Sequence, residues 1–181
     1  MPRRYAMAID LRLCMGCAGC VAACMSENES FGYSRCRVVE EVRGSWPQPS
    51  MLAFSERCNH CGEPACVPVC PTGASRRGPD GLVLIDQSLC TGCKACSAAC
   101  PYNARFLNRE GVASKCDFCK ALVTRGEEPF CVSQCPVEAM TFGDLNDPES
   151  RIRKLLAARR ARVRKPQTGL RPHVFYLEAR Q

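Results

Sequence analysis

Short runs of alternating or continuous apolar residues recur along the chain, and they predict several short strands. These strands cover Tyr5 to Ile9, Arg37 to Val42, Leu82 to Ile85, Ala104 to Leu107 and Ala139 to Phe142. Helical composition and spacing occur at Ala18 to Cys24, Ala95 to Cys100 and Cys116 to Thr124. Together the elements follow a β-α-β order that occurs twice, which predicts an α+β fold with an internal repeat.

The polar pattern changes after residue 146. Asp147–Glu149 has the residue types of a helix N-terminus, and we expect a helix from about Pro148 to Val163. Ten Lys or Arg and three acidic residues lie between Asp147 and the last residue, so this segment contains the whole formal excess of +7. We therefore expect a basic C-terminal helical tail over residues 147–181 that docks on a partner or covers the rest of the chain.

Cysteine dominates the candidate chemistry, because the chain contains seventeen of these residues. Sixteen of them fall into four groups of four, and three of the groups end in Cys-Pro. The groups are Cys14-Cys17-Cys20-Cys24, Cys58-Cys61-Cys66-Cys70, Cys90-Cys93-Cys96-Cys100 and Cys116-Cys119-Cys131-Cys135. Groups one and three have the C-x2-C-x2-C-x3-C spacing of bacterial ferredoxins, and groups two and four are the same run with longer loops before the third cysteine.

This spacing is typical of [4Fe-4S] clusters, which are held by four Cys thiolates. Zinc is the simpler alternative, but it needs two pairs of ligands and leaves the third and fourth cysteines of each group without a role. Structural disulfides are disfavoured, since cysteines three apart on a tight loop are poorly placed to bond to each other. Cys36 is left over, and we expect it to be a small buried apolar residue.

The fourth cysteine of each run points away from its own loop, and in two-cluster ferredoxins it binds the other cluster. Four groups pair in three ways. The nineteen residues between Cys70 and Cys90 favour a complete module of groups two and three, inserted into a module of groups one and four. On that pairing the outer module covers 1–50 and 101–146, and the inserted module covers 51–100.

The nested pairing predicts four ligand sets. They are Cys14, Cys17, Cys20 and Cys135 for cluster one; Cys24, Cys116, Cys119 and Cys131 for cluster two; Cys58, Cys61, Cys66 and Cys100 for cluster three; and Cys70, Cys90, Cys93 and Cys96 for cluster four. No catalytic residue is predicted.

Charge and hydropathy narrow the functional classes. An oxidised cluster with four thiolates carries two negative charges, so four clusters would bring the formal net charge of +7 to about −1 and weaken a nucleic-acid interpretation. The N-terminal residues lack the apolar run of a secretory signal, and no apolar stretch is long enough to span a membrane. We expect membrane association through a partner only, on either the periplasmic or the cytoplasmic face.

With the motifs placed, the chain resembles the four-cluster iron–sulfur subunits of molybdopterin oxidoreductases, especially polysulfide, thiosulfate, tetrathionate and dimethyl sulfoxide reductases. The resemblance covers nearly the whole chain. It rests on the cysteine groups and on Ala6–Asp10, Glu27–Glu29, Cys66–Ser75, Asp80–Val83, Ala99–Arg105, Lys115–Cys119, Phe142–Leu145 and Phe175–Leu177.

The resemblance implies the nested pairing and four [4Fe-4S] clusters, since Cys93 occupies a position that is tryptophan in nitrate reductase relatives. It also implies electron transfer in anaerobic respiration, with cluster one facing a molybdopterin catalytic subunit and cluster four facing a multispanning, quinone-reactive membrane subunit. By itself the chain would not be an enzyme. We expect Lys94, Arg105 and Lys115, which lie near the cysteines, to favour the reduced clusters.

Two other functions remain open from the sequence. The first is a free polyferredoxin, or the adaptor of a hydrogenase or formate-oxidising complex; such a free carrier would be soluble and monomeric. The second is a zinc-dependent nucleic-acid binder that uses the basic tail, and that protein would be colourless.

Overall fold

The computed structural model describes residues 2–30 and 32–178, so Met1, Phe31 and the last three residues of the predicted tail lie outside the described part. The strands are β1 (Tyr5–Asp10), β2 (Cys36–Arg43), β3 (Ser50–Arg57), β4 (Ser75–Arg77), β5 (Val83–Ile85), β6 (Phe106–Leu107), β7 (Ala113–Ser114), β8 (Met140–Asp144), β9 (Ala161–Arg162) and β10 (Val174–Leu177). The α-helices are α1 (Gly19–Glu27), α2 (Ala95–Ala98), α3 (Lys120–Thr124), α4 (Phe130–Ser133) and α5 (Arg151–Ala158).

A mixed α/β architecture results from these elements. One four-stranded sheet has the order β8-β1-β10-β9, in which β1 is antiparallel to β8 and parallel to β10. The pairs β2-β3, β4-β5 and β6-β7 each form a two-stranded antiparallel sheet. All five predicted strands are confirmed to within two residues, but β3, β4, β7, β9 and β10 were not predicted.

Strand β1 lies at the centre of the packing, and all six of its residues are buried. Successive side chains of a strand point to opposite faces. Tyr5, Met7 and Ile9 belong to the main core, which also contains four cysteines, while Ala6 and Ala8 contact Ile152 of α5. The small alanine side chains allow the helix to pack close to the strand.

The helix predicted over Pro148–Val163 is wrong at both ends, because α5 spans Arg151–Ala158. At its start, the Asp147 carboxylate accepts a hydrogen bond from the backbone N–H of Glu149 at 2.9 Å, which forms a turn before the helix. At its end, Arg159 is extended, with φ −134° and ψ 144°. The Arg159 side chain donates hydrogen bonds to the buried carboxylate of Asp10, and these bonds stabilise the early stop.

The C-terminal segment is more than a helix, since it also contributes β9 and β10 to the sheet. Strand β10 pairs with β1 from Met7↔Val174 to Asp10↔Leu177, and Val174 and Leu177 are almost completely buried. Arg164 contacts Glu41 at 2.6 Å and Glu56 at 3.1 Å on the β2–β3 hairpin. Much of the positive charge of this segment is therefore paired within the chain.

The three predicted helices within the cysteine region are present, although shorter or shifted. Helix α1 extends beyond Cys24 to Glu27, and α2 ends at Ala98. Helix α3 begins only at Lys120, because Phe118 and Cys119 have positive φ angles of 57° and 50°. That left-handed backbone forms a loop instead of a helical turn. Among the described residues, no helix is long and apolar enough to cross a membrane.

Candidate metal centres

Four cysteines from two distant parts of the chain line one cavity. Cys14 and Cys17 lie on the loop after β1, Cys20 lies in the first turn of α1, and Cys135 follows α4. The loop passes through Gly16, whose φ of +74° favours glycine. Ile9, Val38 and Met140 contribute apolar walls. These four cysteines are the set predicted for cluster one.

A second cavity is lined by Cys24, Cys116, Cys119 and Cys131. Cys24 reaches it from α1, which packs against α4, the helix that contains Cys131. The pKa of the Cys119 thiol is raised to about 11. Burial is the largest cause, and the nearby Cys131 also contributes. The structure thus brings together the set predicted for cluster two.

The thiols of the third predicted set lie close enough to one another to affect the pKa of Cys61. The pKa of the Cys61 thiol is raised to about 12. Burial is the largest cause, and the neighbouring Cys58, Cys66 and Cys100 also contribute. Deprotonated thiols are the metal ligands, so a site with several nearby thiols favours a cation or a positively charged metal core that compensates their charge.

The fourth predicted set is fixed mainly by contacts of its individual members. The backbone N–H of Ser75 donates to Cys70 Sγ at 3.4 Å, and that of Ala113 donates to Cys90 Sγ at 3.3 Å. Cys93 is exposed and Cys96 is buried. These contacts do not join the four sulfur atoms, so the grouping of Cys70 with Cys90, Cys93 and Cys96 stays a prediction.

Two buried arginines contact cysteine sulfur directly. Arg57 Nη1 donates to Cys131 Sγ at 2.9 Å, and Arg105 Nη2 donates to Cys66 Sγ at 2.9 Å. Arg105 was among the residues singled out from the sequence, whereas Arg57 was missed. The signal for Arg57 is its position at the inward-facing end of β3, directly before Cys58.

The two lysines singled out from the sequence lie in different surroundings. Lys115 is buried, and its Nζ donates to the backbone carbonyl of Cys116 at 2.7 Å. Lys94 is exposed at the residue before α2 and has a positive φ of 62°. Lys115 therefore places a charge beside the group-four loop, while the charge of Lys94 is exposed to solvent screening.

His60 connects the loop of group two to the loop of group four. Its Nδ1 accepts a hydrogen bond from the backbone N–H of Val83 at 3.1 Å, so its Nε2 carries the proton and donates to the Cys116 carbonyl at 3.1 Å. The ring stacks on Phe118 with centroids 4.0 Å apart. Burial, followed by the charge of Lys115, lowers the pKa of His60 well below its usual range, so the imidazole stays neutral.

Cys36 is buried, as expected for a small apolar residue, and only 4% of it is exposed. Its Sγ donates to the backbone carbonyl of Cys20 at 3.4 Å, and it also lines the cavity of Cys24 and Cys131. The contact with Cys20 lowers the pKa of Cys36, but the contact with Cys24 and burial together raise it to about 11. The thiol is therefore protonated at neutral pH in these surroundings.

The residues present fit iron–sulfur clusters. Arg57 Nε and Arg105 Nη1 are buried donors without a hydrogen-bond partner among the described residues. Such donors suit an anionic, sulfur-rich group, and an unsatisfied buried polar atom calls for a partner of this kind. In the described part of the chain, no three His, Cys, Asp or Glu side chains are grouped to hold a single metal ion. A cubane does not require such a grouping, since each thiolate binds a different iron.

Comparison with known proteins agrees with this chemistry. The 4Fe-4S dicluster domain family matches residues 49–145. A tetrathionate reductase subunit of Salmonella typhimurium is 44% identical, over 96% of this chain and 72% of its own length. A polysulfide reductase chain of Wolinella succinogenes is 42% identical, over 97% of this chain and 94% of its own length. A sulfite dehydrogenase subunit of Allochromatium vinosum is 38% identical, over 98% of this chain and 84% of its own length.

The family model covers more than half of the chain, and the relatives cover almost all of it, including the cysteine groups. The chain therefore belongs to the family of iron–sulfur electron-transfer subunits of molybdopterin oxidoreductases that contain the 4Fe-4S dicluster domain.

Proposed function

We propose that this protein carries four [4Fe-4S] clusters and transfers electrons between a quinone-reactive membrane subunit and a molybdopterin catalytic subunit, in an anaerobic respiratory complex of the polysulfide reductase type. The observation that carries the proposal is the convergence of distant cysteines on common cavities, above all Cys14, Cys17 and Cys20 with Cys135. When bound, the clusters supply reversible one-electron chemistry whose potential depends on charge, hydrogen bonding and burial.

The role of the chain itself is to hold and shield these groups. Four thiolates would bind each cluster, in the sets given above. Backbone N–H groups donate to the ligand sulfurs, for example Ala139 to Cys135 Sγ at 3.3 Å. Ile9, Val38 and Met140 give the first cavity apolar walls. Hydrogen bonds and burial of this kind are the means by which a protein tunes cluster potentials, within a range of about −700 to +450 mV.

The proposal includes two nested ferredoxin modules, with 51–100 inserted between 1–50 and 101–146. Its support is the contact of segments far apart in sequence. Strand β1, before group one, pairs with β8, after group four, and α1 packs against α4. Within the inserted part, burial and then the neighbouring Cys58, Cys66 and Cys100 raise the pKa of the Cys61 thiol. The basic segment 147–181, which the structure describes as far as residue 178, is proposed as the partner-docking region. The part of its surface that its internal ion pairs leave free would contact the partner.

Exposed apolar side chains support a subunit in preference to a free carrier. Met15 lies on the loop of group one with 63% of its surface exposed, and Leu89 lies next to Cys90 with 48% exposed. Trp46, at the tip of the β2–β3 hairpin, is 88% exposed. Apolar residues at sites of this kind favour contact with partners, which the subunit designations of the relatives also suggest.

Affinity purification tests the proposed function. The chain, tagged at its C-terminus, is purified without oxygen from detergent-solubilised membranes of its native host, and iron and molybdenum are determined. We expect about one molybdenum per tagged chain, together with iron whose dithionite-bleached colour returns when tetrathionate or polysulfide is added. A brown, monomeric and molybdenum-free protein would instead indicate a free polyferredoxin.

A matched pair of variants tests the nested ligand sets. Cys135→Ala removes a residue that the nested pairing assigns to cluster one, and we expect the loss of up to about four irons per chain. Cys36→Ala removes a buried cysteine outside the four sets, and we expect its iron content to equal that of the wild type. Equal iron loss in both variants would contradict the assigned sets.

A further inference from the structure

Arg57 is a buried charge whose contacts are made with sulfur and hydroxyl groups. Only 3% of the residue is exposed. Its Nη1 donates to Cys131 Sγ at 2.9 Å, while Nη2 donates to Ser55 Oγ and lies 3.3 Å from Met140 Sδ. Among the described residues, no salt bridge joins Arg57 to a carboxylate. Arginine does not lose its proton in proteins, so the positive charge persists at this buried position.

Ser55 extends the reach of Arg57 to a second ligand set. The Ser55 hydroxyl is buried and lies 3.3 Å from Cys20 Sγ. Cys131 belongs to the set proposed for cluster two, and Cys20 belongs to the set proposed for cluster one. One guanidinium therefore contacts a proposed ligand of cluster two directly and reaches a proposed ligand of cluster one through a single hydroxyl.

Arg105 repeats this arrangement at the other pair of proposed clusters. Only 4% of it is exposed, and its Nη2 donates to Cys66 Sγ and to Ser75 Oγ, both at 2.9 Å. Burial lowers the pKa of Arg105, but the neighbouring thiols of Cys66, Cys58 and Cys96 together raise it. Cys66 and Cys96 belong to the sets proposed for clusters three and four. Each proposed pair of clusters therefore has one buried arginine beside it, hydrogen-bonded to a serine and a cysteine.

We propose that Arg57 and Arg105 are potential-setting residues, one for each pair of clusters, and that their fixed charges make the neighbouring clusters easier to reduce. This inference rests on the proposed function. A reduced cluster carries one more negative charge than an oxidised cluster, so a nearby positive charge stabilises the reduced form more strongly. The effect is large in a buried site, where solvent screens charges poorly.

The direct contact with Cys131 predicts that Arg57 acts more strongly on cluster two than on cluster one. Removal of the charge should lower the ratio of reduced to oxidised cluster two at a given potential by at least about tenfold. For a one-electron couple, this equals a shift of about 59 mV towards more negative potentials. A smaller shift in the same direction is expected for cluster one.

Anaerobic redox titrations of the holoprotein, followed by electron paramagnetic resonance, test the inference. Arg57→Gln should shift the midpoint potential of one signal by at least about 59 mV and that of a second signal by less. Arg57→Lys, which keeps the charge, should shift the same signals by a smaller amount. Arg105→Gln should shift a different pair of signals. Arg37→Gln is the matched control, because Arg37 lies nearby on β2 but bonds Glu56 and two backbone carbonyls, with no sulfur among these partners.

The outcomes separate this inference from the proposed function. A wild-type protein without iron or cluster signals would contradict the proposed function itself. Arg57→Gln with full iron content and unshifted titrations would overturn only the potential-setting role. If Arg57→Gln does not fold, Arg105→Gln tests the same inference at the other pair of proposed clusters. Unshifted titrations of Arg105→Gln with full iron content would then overturn the inference.

Discussion

Replacement of Ile152 by alanine tests whether the C-terminal segment is part of the folded core. Ile152 is completely buried, and it packs against Ala6 and Ala8 of β1 and Leu177 of β10. A Cβ placed on Gly143 of β8 would lie 3.1 Å from Ile152 Cγ2, which shows how closely α5 approaches that strand. Truncation of a fully buried isoleucine to alanine costs about 2–5 kcal/mol, since neighbours packed this tightly relax only in part.

Urea unfolding of the anaerobic holoprotein, followed by far-ultraviolet circular dichroism, measures this loss. With a slope of about 2 kcal/mol per molar urea, the midpoint of Ile152→Ala should fall by about 1–2.5 M. Lys154→Ala is the matched control on the same helix, because Lys154 is exposed and its ion pair with Glu149 is exposed as well. We expect the control to change stability by less than about 0.5 kcal/mol. Equal midpoints in the two variants would refute the reasoning and make the segment a peripheral tail.

Two further predictions concern a loop and a histidine. Gly92 and Gly73 both have φ +68°, but they differ in their surroundings. A Cβ on Gly92 would clash with the Gly111 carbonyl oxygen, whereas the Cβ of Gly73→Ala meets nothing within 4 Å among the described residues. Gly73→Ala should therefore lower the free energy of unfolding by only about 1–2 kcal/mol, through backbone strain. Gly92→Ala should lower it by more and should also lower the iron content. Equal losses of stability and iron in the two variants would contradict this prediction. Burial, and then the charges of Arg4 and Arg77, lower the pKa of His173 to about 4. The unfolded state takes up this proton near pH 6.5, so the stability contributed by neutral His173 is complete above that pH. It is lost by up to about 1.4 kcal/mol per unit as the pH falls towards 4. His173→Gln should have a flatter stability profile between pH 6.5 and 5, and an unchanged slope would contradict the prediction.

The cysteine groupings that the structure brings together were largely predictable from the sequence, because most members of each predicted set are local. Spacing alone places Cys14, Cys17 and Cys20 on one loop. The distant ligand, Cys135, required the additional assumption that groups one and four pair. The structure places it in the same cavity as the other three. The strands next to the groups were also predictable, since their apolar residues alternate or run continuously.

The unpredicted features depend on contacts between distant segments. Strand β10 has only four residues, and its stability comes from parallel pairing with β1, at the opposite end of the chain. Helix α5 ends where Arg159 bonds Asp10, although the local composition favours a longer helix. Arg57 is a charged residue on a strand, a pattern that usually indicates exposure. Its burial becomes intelligible only beside Cys131 and Ser55.

Metal analysis combined with an optical spectrum of the anaerobically purified protein tests the central claim most directly. Four cubane clusters predict about sixteen irons per chain and a broad brown absorbance that dithionite bleaches. Zinc in place of iron, in a colourless protein, would contradict the account and favour a zinc-dependent nucleic-acid binder.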